Sequence, residues 1–307
     1  MIELEGISKW FGQVSAVADL SARIEAGIVG LVGRNGAGKS TVLGLIAGLL
    51  RPSSGSVRVL GRNPTVARSR RDLAFCPDID AFPEDLTGET FVRWMLRLSG
   101  IAARAAKQQA RDALERVNLA DAMHRPVRGY SKGMRQRTRL ALAFARRPRI
   151  LLLDEPMTGL DPVARRDVTA ILGDFASSGA AVLVSSHVLH ELEQLARTVL
   201  LMHRGRLVAV GAVHELRRQL ADRPYRLLLR GPDPRALAAE IARLGVVRGL
   251  RFVEEGVELE TDRGAGLFDH LTSLGASGRL DEIRPLDDDL EAVFGYLAGS
   301  GAKGVRA

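Results

Sequence analysis

The residues from Gly33 to Thr41 read GRNGAGKST and match the phosphate-binding pattern G-x-x-x-x-G-K-[ST]. An apolar run over Ile28–Val32 precedes this segment, and a helical pattern over Val42–Leu50 follows it. In such a strand–turn–helix context the glycines allow backbone N–H groups to approach an anion closely, and the helix N-terminus adds its positive dipole end. We therefore expect Lys39 to reach the β- and γ-phosphates of a nucleotide and the Ser40 hydroxyl to ligate Mg²⁺.

Two carboxylates follow a second apolar run, because Ile150–Pro156 reads ILLLDEP. Ligands of open α/β sheets lie at the carboxyl ends of the strands. Asp154 is therefore expected to hold Mg²⁺, directly or through water, and Glu155 to polarise the attacking water. Side chains alternate along a strand, so the two carboxylates should point in different directions. Taken alone, the segment would also suit a strand that ends in solvated acids.

Two segments place further polar groups at element ends. Gly159–Asp161 precedes a helix that begins at Pro162, and Asp161 is expected to cap that helix and to touch a neighbouring subunit. Ala181–His187 reads AVLVSSH, a strand that ends in small polar residues and a histidine. His187 at a strand end near a γ-phosphate can orient water and stabilise developing charge, although a lone histidine is usually a cap or a surface residue.

The segment Tyr130–Gln136 reads YSKGMRQ and leads into a helix through Phe144. Ser131 suits an N-cap and Gly133 exposes backbone N–H groups, so the pattern indicates a second anion-binding helix N-terminus. One nucleotide does not obviously need two such sites. Helix capping without ligand binding is the alternative for this stretch.

The predicted elements arrange these motifs in an α/β fold. Apolar or alternating runs predict strands at Ile2–Ile7, Val17–Ile24, Val29–Val32, Ser56–Leu60, Leu73–Cys76, Ile150–Leu153, Ala181–Val184, Val199–Met202 and Arg206–Val210. Helical patterns occupy Thr90–Leu98, Ala105–Val117, the stretch after Ser131, and Pro162–Phe175. The pattern is that of an α/β ATPase core with a mostly helical insertion over residues 86–147.

The composition changes near Ala221–Pro224, so we expect an ATPase domain over residues 1–220 and a small α+β domain over residues 221–307. The second segment reads strand, helix, strand, strand, helix, strand, and then a helix at Asp289–Leu297. The β-α-β-β-α-β order is that of a ferredoxin-like, split-βαβ domain.

Composition narrows the functional classes. The net charge is +8 and arginines are scattered along the chain, with few aromatic residues between them, so direct nucleic-acid binding is not expected. The single cysteine, Cys76, excludes an internal disulfide and fits a reducing cytosol. No leader of the secretory type opens the sequence and no apolar stretch reaches the roughly 18 residues of a membrane span, so any membrane role is expected to pass through a partner.

The five motifs, in this order, resemble those of the nucleotide-binding subunit of an ATP-binding cassette (ABC) transporter, over residues 1 to about 215. The resemblance identifies Gly33–Thr41 as Walker A, Tyr130–Met134 as the signature and Ile150–Asp154 as Walker B. It also identifies Asp161 as the centre of the D-loop and His187 as the switch histidine. It implies a P-loop fold with a RecA-like core, an antiparallel β subdomain and a helical subdomain.

The resemblance also implies roles for individual residues. Catalysis would fall to Glu155, His187 and Lys39, and the metal site to Ser40, Asp154 and Asp78. ATP would be bound by Phe11, which stacks on adenine with Trp10 as the alternative, and by the loop residues Gly33, Asn35, Gly36, Gly38, Lys39, Ser40 and Thr41. Two copies would pair head to tail, so that Ser131, Gly133 and Asp161 contact the ATP of the other subunit.

Three positions depart from the commonest family form. Lys132 and Met134 replace a glycine and a glutamine of the signature, and Asp78 stands where the Q-loop glutamine is expected. Aspartate can still accept a hydrogen bond from Mg²⁺-bound water, but it is shorter and charged.

The form YSKGMRQR and the tail motif at Asp289–Phe294 resemble the ATPase subunits of ABC-2-type exporters. That branch implies a homodimer, ATP and Mg²⁺ as cofactors, a transmembrane permease as partner, and a place on the cytoplasmic face of the cell membrane. The surface near Asp78–Trp94 would meet the permease, although its apolar residues Phe82, Leu86, Phe91 and Trp94 suit internal packing equally well. Alternative functions are a soluble ABC ATPase acting on ribosomes or DNA, and a small-molecule or nucleotide kinase.

Overall fold

The computed structural model describes residues 1–79, 81–188, 191–192, 195–212, 225–261 and 266–285. The chain divides into two units, Met1–Val213 and His214–Ala307, and each has its own apolar core. The predicted domain boundary at residues 220–221 and the predicted helix at Asp289–Leu297 lie outside the described residues.

A six-stranded sheet forms the centre of the first unit. Its strands are β3 (Gly27–Val32), β5 (Leu73–Cys76), β6 (Ile150–Leu153), β7 (Ala181–Ser186), β8 (Thr198–His203) and β9 (Arg206–Ala212). The order is β5-β6-β7-β3-β8-β9, and every neighbouring pair is parallel except β8 with β9. Every residue of β6 and β7 is buried, as expected for central strands of a parallel sheet covered on both faces.

A second, antiparallel sheet of three strands has the order β2-β1-β4. Its strands are β1 (Ile2–Phe11), β2 (Val14–Ile24) and β4 (Ser54–Val59). The strand β1 is longer than predicted because it continues to a tight turn, where Phe11 pairs with Val14 across Gly12 at φ +58°. Apolar residues of this sheet share one core with the central sheet and with the helix that follows β3.

Five α-helices of this unit lie wholly within the described residues: α1 (Lys39–Ile46), α2 (Gly88–Leu98), α3 (Ala103–Arg116), α4 (Lys132–Ala145) and α5 (Pro162–Ser177). The helices α2, α3 and α4 form the predicted insertion. Within it, the Tyr130 hydroxyl donates to the Ala122 carbonyl at 2.7 Å and Arg111 donates to Glu89 at 2.8 Å. Apart from small shifts at element ends, the predicted α/β core and helical insertion are confirmed.

The second unit has the predicted order β-α-β-β-α-β. Its elements are β10 (Tyr225–Arg230), α6 (Pro234–Ala242), β11 (Val247–Val253), β12 (Gly256–Thr261), α7 (Leu267–Ala276) and β13 (Glu282–Pro285). All neighbouring strands are antiparallel in the order β11-β12-β10-β13, which is the split-βαβ arrangement. Leucines of β10 and β12 pack with those of both helices in one core.

Within the described residues, no helix has the length and apolar character needed to cross a membrane.

Candidate active site

The sheet order brings the chemical motifs to one edge. The strands β5, β6, β7 and β3 are parallel neighbours, so their carboxyl ends lie side by side. Asp78 follows β5, Asp154 and Glu155 follow β6, and His187 follows β7. The glycine-rich loop follows β3, which pairs with β7 up to Val32 and Ser186. The loop therefore lies beside the histidine segment and one strand away from the two carboxylates.

The glycine-rich loop turns sharply into α1. Gly38 precedes the helix at φ +101°, and an added Cβ would collide with the Ala16 carbonyl oxygen. The Lys39 ammonium is buried and donates to the Gly33 carbonyl at 2.5 Å and to the Arg34 carbonyl at 3.2 Å. Its positive charge is thus held inside the turn. Ser40, by contrast, is exposed, as are Asn35 and Gly36 of the same loop.

Glu155 is the centre of the polar cluster. Its Oε1 lies 3.2 Å from Lys39 Nζ, and its Oε2 lies 2.8 Å from His187 Nδ1 and accepts from the Thr158 hydroxyl at 3.1 Å. Burial raises the pKa of Glu155, but the hydrogen bond with His187 and the charge of Lys39 outweigh burial, so the pKa lies below its usual value. The carboxylate is therefore ionised at neutral pH and already paired with two groups from neighbouring segments.

Asp154 and Glu155 make different contacts, as predicted, but strand alternation is not the reason. The strand β6 ends at Leu153, and Glu155 has a left-handed backbone with φ +48°. The Ser185 hydroxyl donates to Asp154 Oδ1 at 2.6 Å and accepts from the Glu155 N–H at 2.9 Å. The turn, fixed by Ser185, separates the two carboxylates, and its unfavourable backbone costs about 1–2 kcal/mol.

Ser185 and Thr158 are the site residues that sequence reasoning missed. The small polar residues at the end of β7 were visible in AVLVSSH, but only the histidine received a role. Thr158 lies three residues after Glu155, and that spacing lets a turn bring its hydroxyl to the carboxylate. A signal for Ser185 was present: a hydroxyl residue two positions before the histidine, on the strand paired with β6.

The signature and D-loop segments form two adjacent helix starts. Ser131 caps α4 by accepting from the Met134 N–H at 3.2 Å, and Asp161 caps α5 by accepting from two N–H groups at 2.8 and 2.9 Å. Both predicted caps are confirmed. Gly133 is buried, and a Cβ there would lie 2.8 Å from that of Ala164, so its missing side chain lets α4 approach α5. No hydrogen bond or ion pair of the described chain joins Ser131 or Asp161 to the glycine-rich loop.

The remaining predicted residues lie at the surface. Phe11 and Trp10 are 49% and 45% exposed near the end of β1, and the Lys9 ammonium lies 5.2 Å from the centroid of the Phe11 ring. Both rings are thus about half exposed, and Lys9 lies over one of them. Asp78 is exposed at the carboxyl edge, two residues beyond Cys76, whose carbonyl accepts from the Asp154 N–H at 2.9 Å.

The oxygen donors fit a magnesium nucleotide better than a bare metal ion. Among the described residues, no group of three His, Cys, Asp or Glu side chains could hold a metal. Mg²⁺ is commonly bound by one or two protein oxygens together with phosphates and water. Asp154 and the exposed Ser40 match that donor set, and the buried Glu155 Oε1, whose described contact is the ion pair with Lys39, becomes an acceptor for other groups if Lys39 moves to a phosphate.

Comparison with known proteins agrees with this geometry. The profile of the ABC transporter family matches residues 17–158. The daunorubicin/doxorubicin resistance ATP-binding protein DrrA of Streptomyces peucetius is 36% identical over 250 residues, which cover 80% of this chain and 76% of DrrA. The chain belongs to the ABC transporter family.

Two further similarities extend this assignment. The daunorubicin resistance ATP-binding protein DrrA3 of Streptomyces coeruleorubidus is 32% identical over 311 residues, which cover 100% of this chain and 90% of that protein. A solved ATP-binding subunit of an ABC transporter superposes with a TM-score of 0.64 at 27% identity, covering 78% of this chain and 98% of the other. The predicted fold and activity are confirmed: this is an ATP-binding, ATP-hydrolysing subunit that works with a membrane partner.

The close approach at Gly38 leads to a prediction about the loop. Gly36→Ala should lower the free energy of unfolding by about 1 kcal/mol, because Gly36 has φ +80° but no atom within 4 Å of an added Cβ. Gly38→Ala should cost more and weaken nucleotide binding, because the backbone beside Ala16 must move. Chemical unfolding and titration with a fluorescent ATP analogue measure both effects. Equal losses for the two variants would contradict the packing argument.

Proposed function

We propose that two copies of this chain close around two ATP–Mg²⁺ molecules and drive export through an ABC-2-type permease at the cytoplasmic face of the cell membrane. The observation that carries the catalytic part is the position of Glu155. Its carboxylate is ionised, nearly buried, and held between the loop lysine and the histidine at the edge where a γ-phosphate would lie. An ionised carboxylate in this position suits the activation of a water molecule for attack on phosphorus.

The side chains around Glu155 have different roles in hydrolysis. Lys39 leaves the carbonyls of its own loop for the β- and γ-phosphates, which frees Glu155 Oε1 to accept a hydrogen bond from the attacking water. His187 keeps Oε2 fixed and, with Lys39, stabilises the charge that develops on the γ-phosphate. Ser40, Asp154 and Asp78 would hold Mg²⁺, which neutralises phosphate charge when bound. Phe11 would stack on adenine, with Trp10 as the alternative.

A second copy accounts for the second anion site. The start of α4 presents the exposed Ser131 next to the buried Gly133, and the Ser131 hydroxyl accepts from its own helix, so its proton remains free to donate. A hydroxyl donor, helix N–H groups and a positive dipole end together favour phosphate. Since each chain has one Walker A loop, a head-to-tail pair would use both anion sites of both chains, with Asp161 beside them.

Exposure distinguishes the apolar residues considered for the permease surface. Of the four apolar residues considered, Phe91 is buried and its ring lies 5.0 Å from that of Phe82, whereas Trp94 is 52% exposed. Trp94 and the 82% exposed Leu98 line a groove of about 790 Å³ between α2 and α3. Its other lining residues are Arg93, Arg97, Ala103, Arg104 and Lys107. We expect the permease to place an apolar segment with acidic residues there.

The first test concerns Glu155. Glu155→Gln should retain ATP binding and reduce turnover about 10²–10⁴-fold, because the amide cannot act as a base. Steady-state phosphate release and equilibrium ATP binding separate the two effects. Glu115→Gln, which alters an exposed carboxylate of α3, is the matched control and should hydrolyse ATP at the parental rate. Parental turnover by Glu155→Gln would remove the catalytic assignment.

The second test concerns the paired arrangement. Ser131→Arg should block the ATP-dependent dimer, because a bulky side chain would occupy the contact with the partner's nucleotide, while ATP binding by the monomer stays intact. Sedimentation velocity with and without ATP measures the dimer. If the variant instead loses ATP binding as a monomer, Ser131 serves its own chain and the cross-subunit role is wrong.

The third test identifies the partner. The tagged chain, purified from native membranes in mild detergent, should carry a polytopic membrane protein detectable by mass spectrometry. The double variant Trp94→Ala/Arg97→Glu should retain little of that membrane protein. The pair Val66→Ala with Arg62→Glu alters an exposed apolar residue and a charge elsewhere and should retain it. Recovery with ribosomal or DNA-repair proteins instead would favour the soluble ABC ATPase alternative.

A further inference from the structure

The signature segment contains a lysine at a position that helix electrostatics disfavour. Lys132 is the first residue of α4, and the first turn of this helix contains no acidic residue. A helix N-terminus carries partial positive charge, so a cation there is destabilising and an acid would be favourable. The local sequence thus departs from what the helix alone would select, and such departures tend to mark functional positions.

The Lys132 side chain does not extend freely into solvent. Its stem and ammonium lie over Gly159 of the D-loop, where an added Cβ would collide with them. Gly159 has φ +68°, and both Gly159 and Lys132 are exposed, so this contact lies at the surface. The lysine, which follows Ser131 in sequence, therefore places its charge against the D-loop, two residues before Asp161; Ser131 and Asp161 are the groups proposed to face the partner's nucleotide.

The Lys132 ammonium has no ion-pair partner within the described chain. The Asp161 carboxylate is two residues beyond Gly159, but its Oδ1 accepts from two N–H groups of α5. Arg135, the other cation in the first turn of α4, donates to Glu84 at 3.2 Å. Lys132 is thus the cation of this turn that remains available to an anion.

We propose that Lys132 supplies a charge-assisted hydrogen bond to the terminal phosphate of the ATP held by the partner copy. This inference rests on the proposed head-to-tail dimer. The ammonium adds a full positive charge to the hydroxyl and N–H donors of the signature, and it acts only when two copies close. The contact also joins the signature to the D-loop, so that phosphate binding by Lys132 would fix the position of Gly159.

The test measures dimer formation in a Glu155→Gln background, in which hydrolysis is slow. Lys132→Ala should raise the dimer dissociation constant with ATP about tenfold per site, the effect expected for one hydrogen bond to a charged group. Lys132→Arg should restore most of the affinity, and Lys132→Glu should abolish the dimer. The dimer of Lys132→Ala should also depend less steeply on salt. Arg58→Ala removes an exposed cation from β4 and should leave all these values unchanged.

Two further readouts separate this role from a structural one. The nucleotide-free Lys132→Ala chain should melt no lower than the parent, because a cation is removed from a helix N-terminus, and its monomer should bind ATP as the parent does. A lower melting temperature with a proportionate loss of the dimer would instead make Lys132 a packing residue. Ser131→Arg is measured in parallel. If Ser131→Arg blocks the dimer and Lys132→Ala does not weaken it, only the lysine inference fails. If neither variant matters, the head-to-tail dimer itself is wrong.

Discussion

The active site depends on one buried ion pair, between Glu155 and Lys39. The two residues belong to segments that are more than 100 positions apart and reach each other because β6, β7 and β3 are parallel neighbours. Removing either charge would leave the other nearly buried and unpaired, which is costly. Once a nucleotide binds, the Lys39 ammonium is expected to move from Glu155 to the phosphates, because they carry more negative charge than one carboxylate. The same contact that stabilises the nucleotide-free chain therefore prepares both residues for the reaction.

The surrounding hydrogen bonds fix the geometry of the Glu155 carboxylate in this ion pair. Ser185 holds Asp154 on one side and the Glu155 N–H on the other, which fixes a left-handed turn that a glutamate does not favour by itself. His187 and Thr158 then share Glu155 Oε2, whereas Oε1 faces the Lys39 ammonium and becomes available to a new partner once Lys39 turns to a phosphate. Strain in the backbone is offset by three side-chain contacts, and the result is a carboxylate with one oxygen fixed and one available.

Sequence predicted those parts of the fold that depend on local patterns and motif spacing. Apolar runs gave β6 and β7, because a buried parallel strand needs apolar residues on both faces, and the caps at Ser131 and Asp161 follow from local chemistry. The hydroxyl of Ser185 is visible in the sequence, but its contacts with Asp154 and Glu155 depend on the order of β6 and β7 in the sheet and could not be predicted from the local pattern. The turn at Glu155 could not be predicted either, because the residue adopts a backbone that its own preferences disfavour.

The groups that act between two chains differ in kind from those that act within one. Glu155 and Lys39 are nearly buried and paired within the chain, so their geometry exists before any ligand binds. Ser131, Lys132 and Asp161 lie at the surface, and the two caps satisfy their own helices. Donors that remain exposed gain little from phosphate in water, but more when a second chain excludes water from the contact. The signature is therefore expected to bind phosphate strongly only when the two chains close. Since Glu155 acts on the same phosphate, hydrolysis and reopening of the interface between the chains are coupled.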